Sequence, residues 1–162
     1  MNIERLQDTD DRLFVENDIN GECIYYTDEA CQTPFNGIVY GMCGKPLRLD
    51  YECEIVGGVK DGMELTYNEE GGIEQASECR HNLLYGVSKE YDEEGNLLTA
   101  SVVFNNSHLK VVTPTESGQY EVTKYTPEST KNLPADILAL LILSEEELVN
   151  YEFKTRYGVF VL

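Results

Sequence analysis

Two pairs of adjacent carboxylates, Glu69-Glu70 and Glu93-Glu94, are the first residues of this chain with types and spacing suited to chemistry. Paired acids serve as general acid and base, or as ligands for hard cations such as calcium. The two pairs stand 24 residues apart in matching contexts, Asn68-Glu-Glu-Gly71 and Asp92-Glu-Glu-Gly95. Duplicated catalytic sites on a repeat are rare, and the aspartate-rich spacing of an EF-hand calcium loop is absent. Two readings remain: charged turns that keep hairpins soluble and their edges unpaired, or a surface that recognises cations.

Histidine and cysteine add little. His81 and His108 each sit beside a turn, where a solvated ring needs no further role, and nothing in the sequence orients either toward a nucleophile. Cys79 and His81 fall on the same side of an apparent strand, but no second pair completes a tetrahedral zinc site. The five cysteines, Cys23, Cys31, Cys43, Cys53 and Cys79, are odd in number and lack close pairing, so buried structural thiols are expected. Neither a nucleophile elbow, a zinc-protease helix, a P-loop nor a dinucleotide fingerprint is present. The expectation is a protein that is not an enzyme and takes no cofactor or metal.

Charge narrows the partner. Thirty acids against twelve bases give a formal net charge of −18. Such a chain repels phosphates and anionic headgroups, so nucleic acid and membrane are excluded as expected partners, and a cationic protein is favoured. The longest apolar run, Ile137 to Leu143, is too short to span a bilayer. Met1 to Asp11 hold five charges and no apolar stretch, which predicts a cytoplasmic protein without a secretory signal. Eleven tyrosines and no tryptophan suit an interface, since tyrosine joins a rigid apolar body to a polar tip.

The elements that must position these groups repeat. Gly62, Tyr67, Glu69-Glu70, Gly71 and Ile73 recur as Gly86, Tyr91, Glu93-Glu94, Gly95 and Leu97. A looser copy runs from Phe35 through Gly37, Tyr40, Gly44 and Leu47 to Cys53. Met63, Leu65 and Tyr67 alternate, as a half-buried strand requires. A glycine-containing turn follows, then a second strand over Ile73 to Cys79 or Leu97 to Phe104, closed by Gly57-Gly58, His81-Asn82 or Asn105-Asn106 in the three copies. Further strands are expected near Val111-Val112 and over Tyr120 to Tyr125, around the turn Thr115 to Gly118. Pro127 and Pro134 bracket a connector, and Ser144-Glu-Glu-Glu147 has the form of a capping box. One or two helices broken at Ser144 are expected, with a buried strand over Ile137 to Leu143 the alternative, and a last strand over Tyr157 to Leu162. The fold class expected is mainly β, an elongated antiparallel meander of hairpins with a small helix-containing C-terminal cap.

This pattern resembles the variant MORN-repeat family of antitoxin-like and immunity proteins. Glycine, tyrosine five residues on, an acidic or Asn-containing turn, glycine, and an apolar residue two later carry the likeness. An acidic leader, Tyr25-Tyr26 and the opening Pro34-Phe35-Asn36-Gly37 are similar too. The likeness covers residues 22–109, leaving an acidic leader over 1–21 and C-terminal strands plus helix over 110–162. It implies a protein that binds and neutralises a cognate toxin. The charge adds that the toxin is basic, as the substrate cleft of a nuclease must be. Asp10, Asp11, Glu69, Glu70, Asp92, Glu93 and Glu94 are the expected partner-binding residues, forming one continuous negative strip. The alternative is a non-catalytic repeat scaffold for protein–protein interaction unrelated to toxins.

Overall fold

Alternating burial along each repeat translates into strands that share two faces, and hairpin turns stack them in chain order. The computed structural model of the protein describes residues 3–125 and 132–160. Its strands are β1 (Arg5–Gln7), β2 (Phe14–Asn17), β3 (Cys23–Tyr26), β4 (Gly37–Cys43), β5 (Arg48–Val56), β6 (Val59–Tyr67), β7 (Ile73–Arg80), β8 (Leu83–Tyr91), β9 (Leu97–Phe104), β10 (Ser107–Pro114) and β11 (Tyr120–Lys124). Two short helices follow, α1 (Ala135–Leu141) and α2 (Glu145–Val149).

One sheet runs β1-β4-β5-β6-β7-β8-β9-β10-β11, antiparallel throughout except for β1, which lies parallel to β4. At about 4.8 Å per strand the nine strands extend about 38 Å across. The meander therefore starts earlier and ends later than the repeats read from sequence. The stretch expected as a leader supplies β1 and β2, and the boundary expected at residue 109 falls inside β10. No seam divides the chain there, because β10 pairs with β9 on one side and β11 on the other.

Turn chemistry explains the stacking. The two-residue turns Gly57-Gly58, His81-Asn82 and Asn105-Asn106 all hold positive φ, between 48° and 85°, as a type I′ turn requires. Asn82 and Asn106 also reach back to the preceding hairpin: Asn82 Oδ1 accepts from Lys60 N at 2.8 Å, and Asn106 Oδ1 from Leu84 N at 2.7 Å. Neighbouring hairpins are thus stapled as well as paired.

Two apolar layers cover the sheet. The β2–β3 hairpin lies over one face at the β4–β5 end, where Leu6, Leu13, Tyr25, Phe35, Val39, Cys53 and Ile55 form a buried cluster. On the other face Val87, Ala100, Val102, Leu109 and Val112 pack against Ile137 of α1 and Leu148 of α2. Ile137 to Leu141 are helical, and the break at Ser144 is a true capping box, its hydroxyl accepting from Glu147 N and Glu147 Oε2 accepting from Ser144 N. The strand expected over Tyr157 to Leu162 does not form through Phe160, and Val161 and Leu162 lie outside the described residues. Its N–H groups go to side chains instead of a ladder, as described below. The connector that follows Pro127 lies partly outside the described residues, which resume at Asn132.

Candidate functional site

The acidic turns gather at one end of the sheet because β4, β6, β8 and β10 all run toward it. Three of the four loops there share one construction. The side chain of the first residue accepts the N–H of the residue four on: Asn68 from Gly72 at 2.8 Å, Asp92 from Asn96 at 2.7 Å, Thr115 from Gln119 at 3.2 Å. Gly71, Gly95 and Gly118 take the left-handed conformation, φ 76° to 84°, that closes each loop. The residues between are left at the tip, exposed: Glu69-Glu70, Glu93-Glu94 and Glu116-Ser117.

The expected site residues therefore separate into kinds. Glu69, Glu70, Glu93 and Glu94 make no side-chain hydrogen bond or ion pair among the described residues, so their charges face solvent. Asp92 belongs to the loop's own architecture, and its hydrogen bonds from the side chain and backbone of Asn96 hold its carboxyl below the usual range. Asn68, Glu74, Tyr91, Asp92, Glu93 and Glu94 line a groove of about 330 Å³ between the two loops. Four of those six are acids around one aromatic ring.

Asp10 and Asp11 reach the same end of the sheet, since β1 runs parallel to β4. Asp10 is engaged internally: it accepts from Arg12 Nε at 2.9 Å, Nη2 at 2.8 Å and N at 3.0 Å. Those bonds from Arg12 lower its carboxyl to about 2. Asp11 is exposed. In strand order the β4–β5 loop, with Lys45 and Arg48, separates these acids from the glutamate loops, and Arg48 donates to Asn68 O at 3.2 Å. The strip expected to be continuous is interrupted there by cations.

His81 occupies the exposed left-handed turn position, φ 50°, and His108 is exposed on β10. All five cysteines are free thiols; Cys53 and Cys79 are buried and the other three half-buried. Burial pushes the Cys53 and Cys79 thiols up, away from reactive thiolate. Tyr67 and Tyr91 pack on the face beside Met63, Leu65 and Ala76, and the Tyr67 hydroxyl donates to Glu52 at 2.5 Å.

A second group of charges was not legible as a site. Register places Glu54, Met63, Glu78, Val87, Val102 and Lys110 in one row across the covered face, with β-bulges opposite Glu54 and Glu78. Glu54, wholly buried, accepts from Met63 N at 2.7 Å, Arg156 N at 2.8 Å and Tyr157 N at 2.9 Å. Glu78 accepts from Val87 N at 2.9 Å, the Tyr151 hydroxyl at 2.9 Å and Lys154 N at 3.0 Å. One repeat further on the polarity reverses: Val102 stands where the carboxylate would, Lys110 where the glycine would, and Lys110 Nζ donates to Leu143 O at 2.5 Å. Lys89 donates likewise to Tyr151 O at 2.9 Å, and burial pushes its amine down. Leu143 and Tyr151 lie just past the ends of α1 and α2, where an ammonium is favoured.

Gly62 and Gly86 complete this row. A Cβ at either would overlap the carboxylate of Glu54 or Glu78. The signal was present in the sequence as a glutamate recurring among apolar residues 24 apart, each followed eight residues later by glycine. What it binds was not, because the ligand is chain from far away. Compared with protein-family models, curated proteins and solved structures, the chain matches none.

Proposed function

We propose that this protein is an immunity protein or antitoxin that binds a cognate toxin, most naturally a nuclease, and blocks its basic active-site cleft. The observation that carries this reading is the set Glu69, Glu70, Glu93 and Glu94, four exposed carboxylates on successive loops at one end of the sheet, without cationic partners among the described residues. The loop backbones are fixed by their own hydrogen bonds, so binding costs side-chain freedom alone, and the free carboxylates suit charge-assisted bonds to arginine and lysine. The −18 net charge steers a cationic partner into encounter over about a Debye length, roughly 8 Å at physiological salt. The hairpin repeats are read as variant MORN repeats, and that resemblance implies a toxin-neutralising role. Action in the cytoplasm belongs to the same reading; among the described residues no helix is long and apolar enough to cross a membrane.

A non-catalytic scaffold is the second reading. It is favoured by β11, the last strand of the sheet, all five of whose residues are exposed. Co-purification from the native cell, with identification of the bound protein, tests the two. A stoichiometric basic companion whose activity is lost in the complex supports the first. A stable companion as acidic as this chain, or none at all, removes it.

A further inference from the structure

Residues 150–160 cross the strands of the sheet as a strap without regular secondary structure, bending at residues 156–158, and they make no strand ladder. Among the described residues, every main-chain N–H that the strap gives the sheet is received by Glu54 or Glu78: Lys154 by Glu78, Arg156 and Tyr157 by Glu54. The spacing fits. Glu54 and Glu78 stand on β5 and β7, two strands or about 9.6 Å apart, and three extended residues cover about 10 Å. The receiving unit is generated by the repeat itself: a glutamate, and on the next strand a bulge whose glycine leaves room for its carboxylate. Aromatic side chains fill the sheet side, with Phe153 and Phe160 packed against the Met63, Leu65 and Ala76 cluster, and the Tyr157 hydroxyl donating to Ile55 O at 2.6 Å. The groove is wider than its occupant: clefts of about 510 Å³ and 490 Å³ adjoin the strap, the first bounded by Arg80 and Leu140, the second by Lys89 and Tyr91.

We propose that this face is a polypeptide-binding site, and that the protein's own C-terminal strap is the ligand filling it in this structure. The class of ligand follows from the contacts: a segment that offers main-chain N–H groups two or three residues apart, carries aromatic side chains on the sheet side, and sets an arginine against Asp61, with which the Arg156 guanidinium pairs, while Lys154 stays outward. Recognition through main-chain N–H makes the site tolerant of sequence at the outward positions. The site adjoins the acidic-loop groove at Tyr91, but its main-chain N–H contacts involve none of the loop glutamates and do not depend on what those bind.

A labelled peptide with the sequence of residues 150–160 is the probe. The full-length chain carrying Lys154→Pro and Arg156→Pro loses two of the strap's N–H groups and the Arg156–Asp61 ion pair, which weakens its own strap while every residue of the track is kept. Saturable binding of the peptide to that chain is expected. N-methylation of the peptide at the positions of Lys154 and Arg156 should weaken it about tenfold or more, and at Glu152 less than about twofold. No binding by a chain that still melts cooperatively, or equal binding of all the peptides, overturns the proposal. If the double-proline chain does not fold, the peptides are added in millimolar excess to the unaltered chain, since a tethered strap competes at about that effective concentration. There the unmodified peptide should speed hydrogen exchange at 154, 156 and 157 severalfold while the N-methylated one does not; unchanged exchange overturns the proposal equally.

Discussion

Replacing Gly86 by alanine tests whether the glutamate row holds the fold as described. Gly86 has φ 120°, and an added Cβ would overlap Glu78 Oε2 and stand 3.1 Å from the Glu78 Cβ and Cδ atoms. The backbone alone costs about 1–2 kcal/mol for a side chain at positive φ. The overlap must also move the carboxylate, which gives up at least one of its bonds from Val87 N, the Tyr151 hydroxyl and Lys154 N. A hydrogen bond to a charged group contributes about 1.5–3 kcal/mol, and because Glu78 is half-buried, water restores part of it, so the lower figure applies. The expected loss is about 2.5–3.5 kcal/mol, or about 10 °C in Tm for a chain of this size. Gly95→Ala is the control: its φ is 84° and nothing lies within 4 Å of the added Cβ, so only the backbone cost of about 1–2 kcal/mol remains. Urea and thermal unfolding of the two variants give the difference directly. Gly62→Ala should exceed both, since Glu54 is wholly buried and Arg156 also stands in the way. If Gly86→Ala and Gly95→Ala melt within about 2 °C of each other, the carboxylate is not held in the glycine notch and the reasoning fails.

Three further outcomes are expected. Asn82→Ala should cost about 2–4 kcal/mol in urea unfolding, because it strands Lys60 N, breaks the bonds to Asp18 Oδ2 and Cys23 O, and leaves alanine at φ 67°; Asn106→Ala, exposed and with only Leu84 N to satisfy, should cost less. The Asp10 carboxyl should titrate by NMR with a midpoint at about 2, moving toward 3.8 in Arg12→Ala. Its folded pKa is depressed, so its stabilising contribution is present above 3.8 and is lost as pH falls through about 2. Glu93→Lys with Glu94→Lys should leave stability within about 0.5 kcal/mol and slow association with the co-purified partner about tenfold or more at low salt. An unchanged rate constant by surface plasmon resonance would take those residues out of the interface.

Much of the sheet is legible in the sequence because its signals are local. Met63, Leu65 and Tyr67 alternate within one strand, Asn105-Asn106 carries its own turn preference, and Ser144 with Glu147 closes a capping box three residues apart. The tip glutamates are legible for the same reason: a loop whose first residue caps its fourth neighbour leaves the middle two exposed wherever it occurs. The engagement of Asp10 was not legible, because a charge count does not say which acids already hold a cation, as Asp10 holds Arg12. Residues 5–7 were hidden as a strand by their acidic neighbours and by a partner, β4, about thirty residues on, and residues 14–17, which pair with β3, by the charged and polar residues around them.

By itself, then, the amino-acid order determined the period, the hairpins, the capping box at Ser144 and the acidic tips, each set by interactions that close within a few residues; whether Ile137 to Leu143 is helix or strand was left to the fold. The tertiary structure alone decided what Glu54 and Glu78 do. Their N–H donors, Arg156 and Lys154, lie 102 and 76 residues away, and no local pattern announces such a pairing. It arises because a buried carboxylate must find donors, β5 and β7 present two carboxylates opposite the bulges of β6 and β8, and the returning chain supplies main-chain N–H groups at the same spacing.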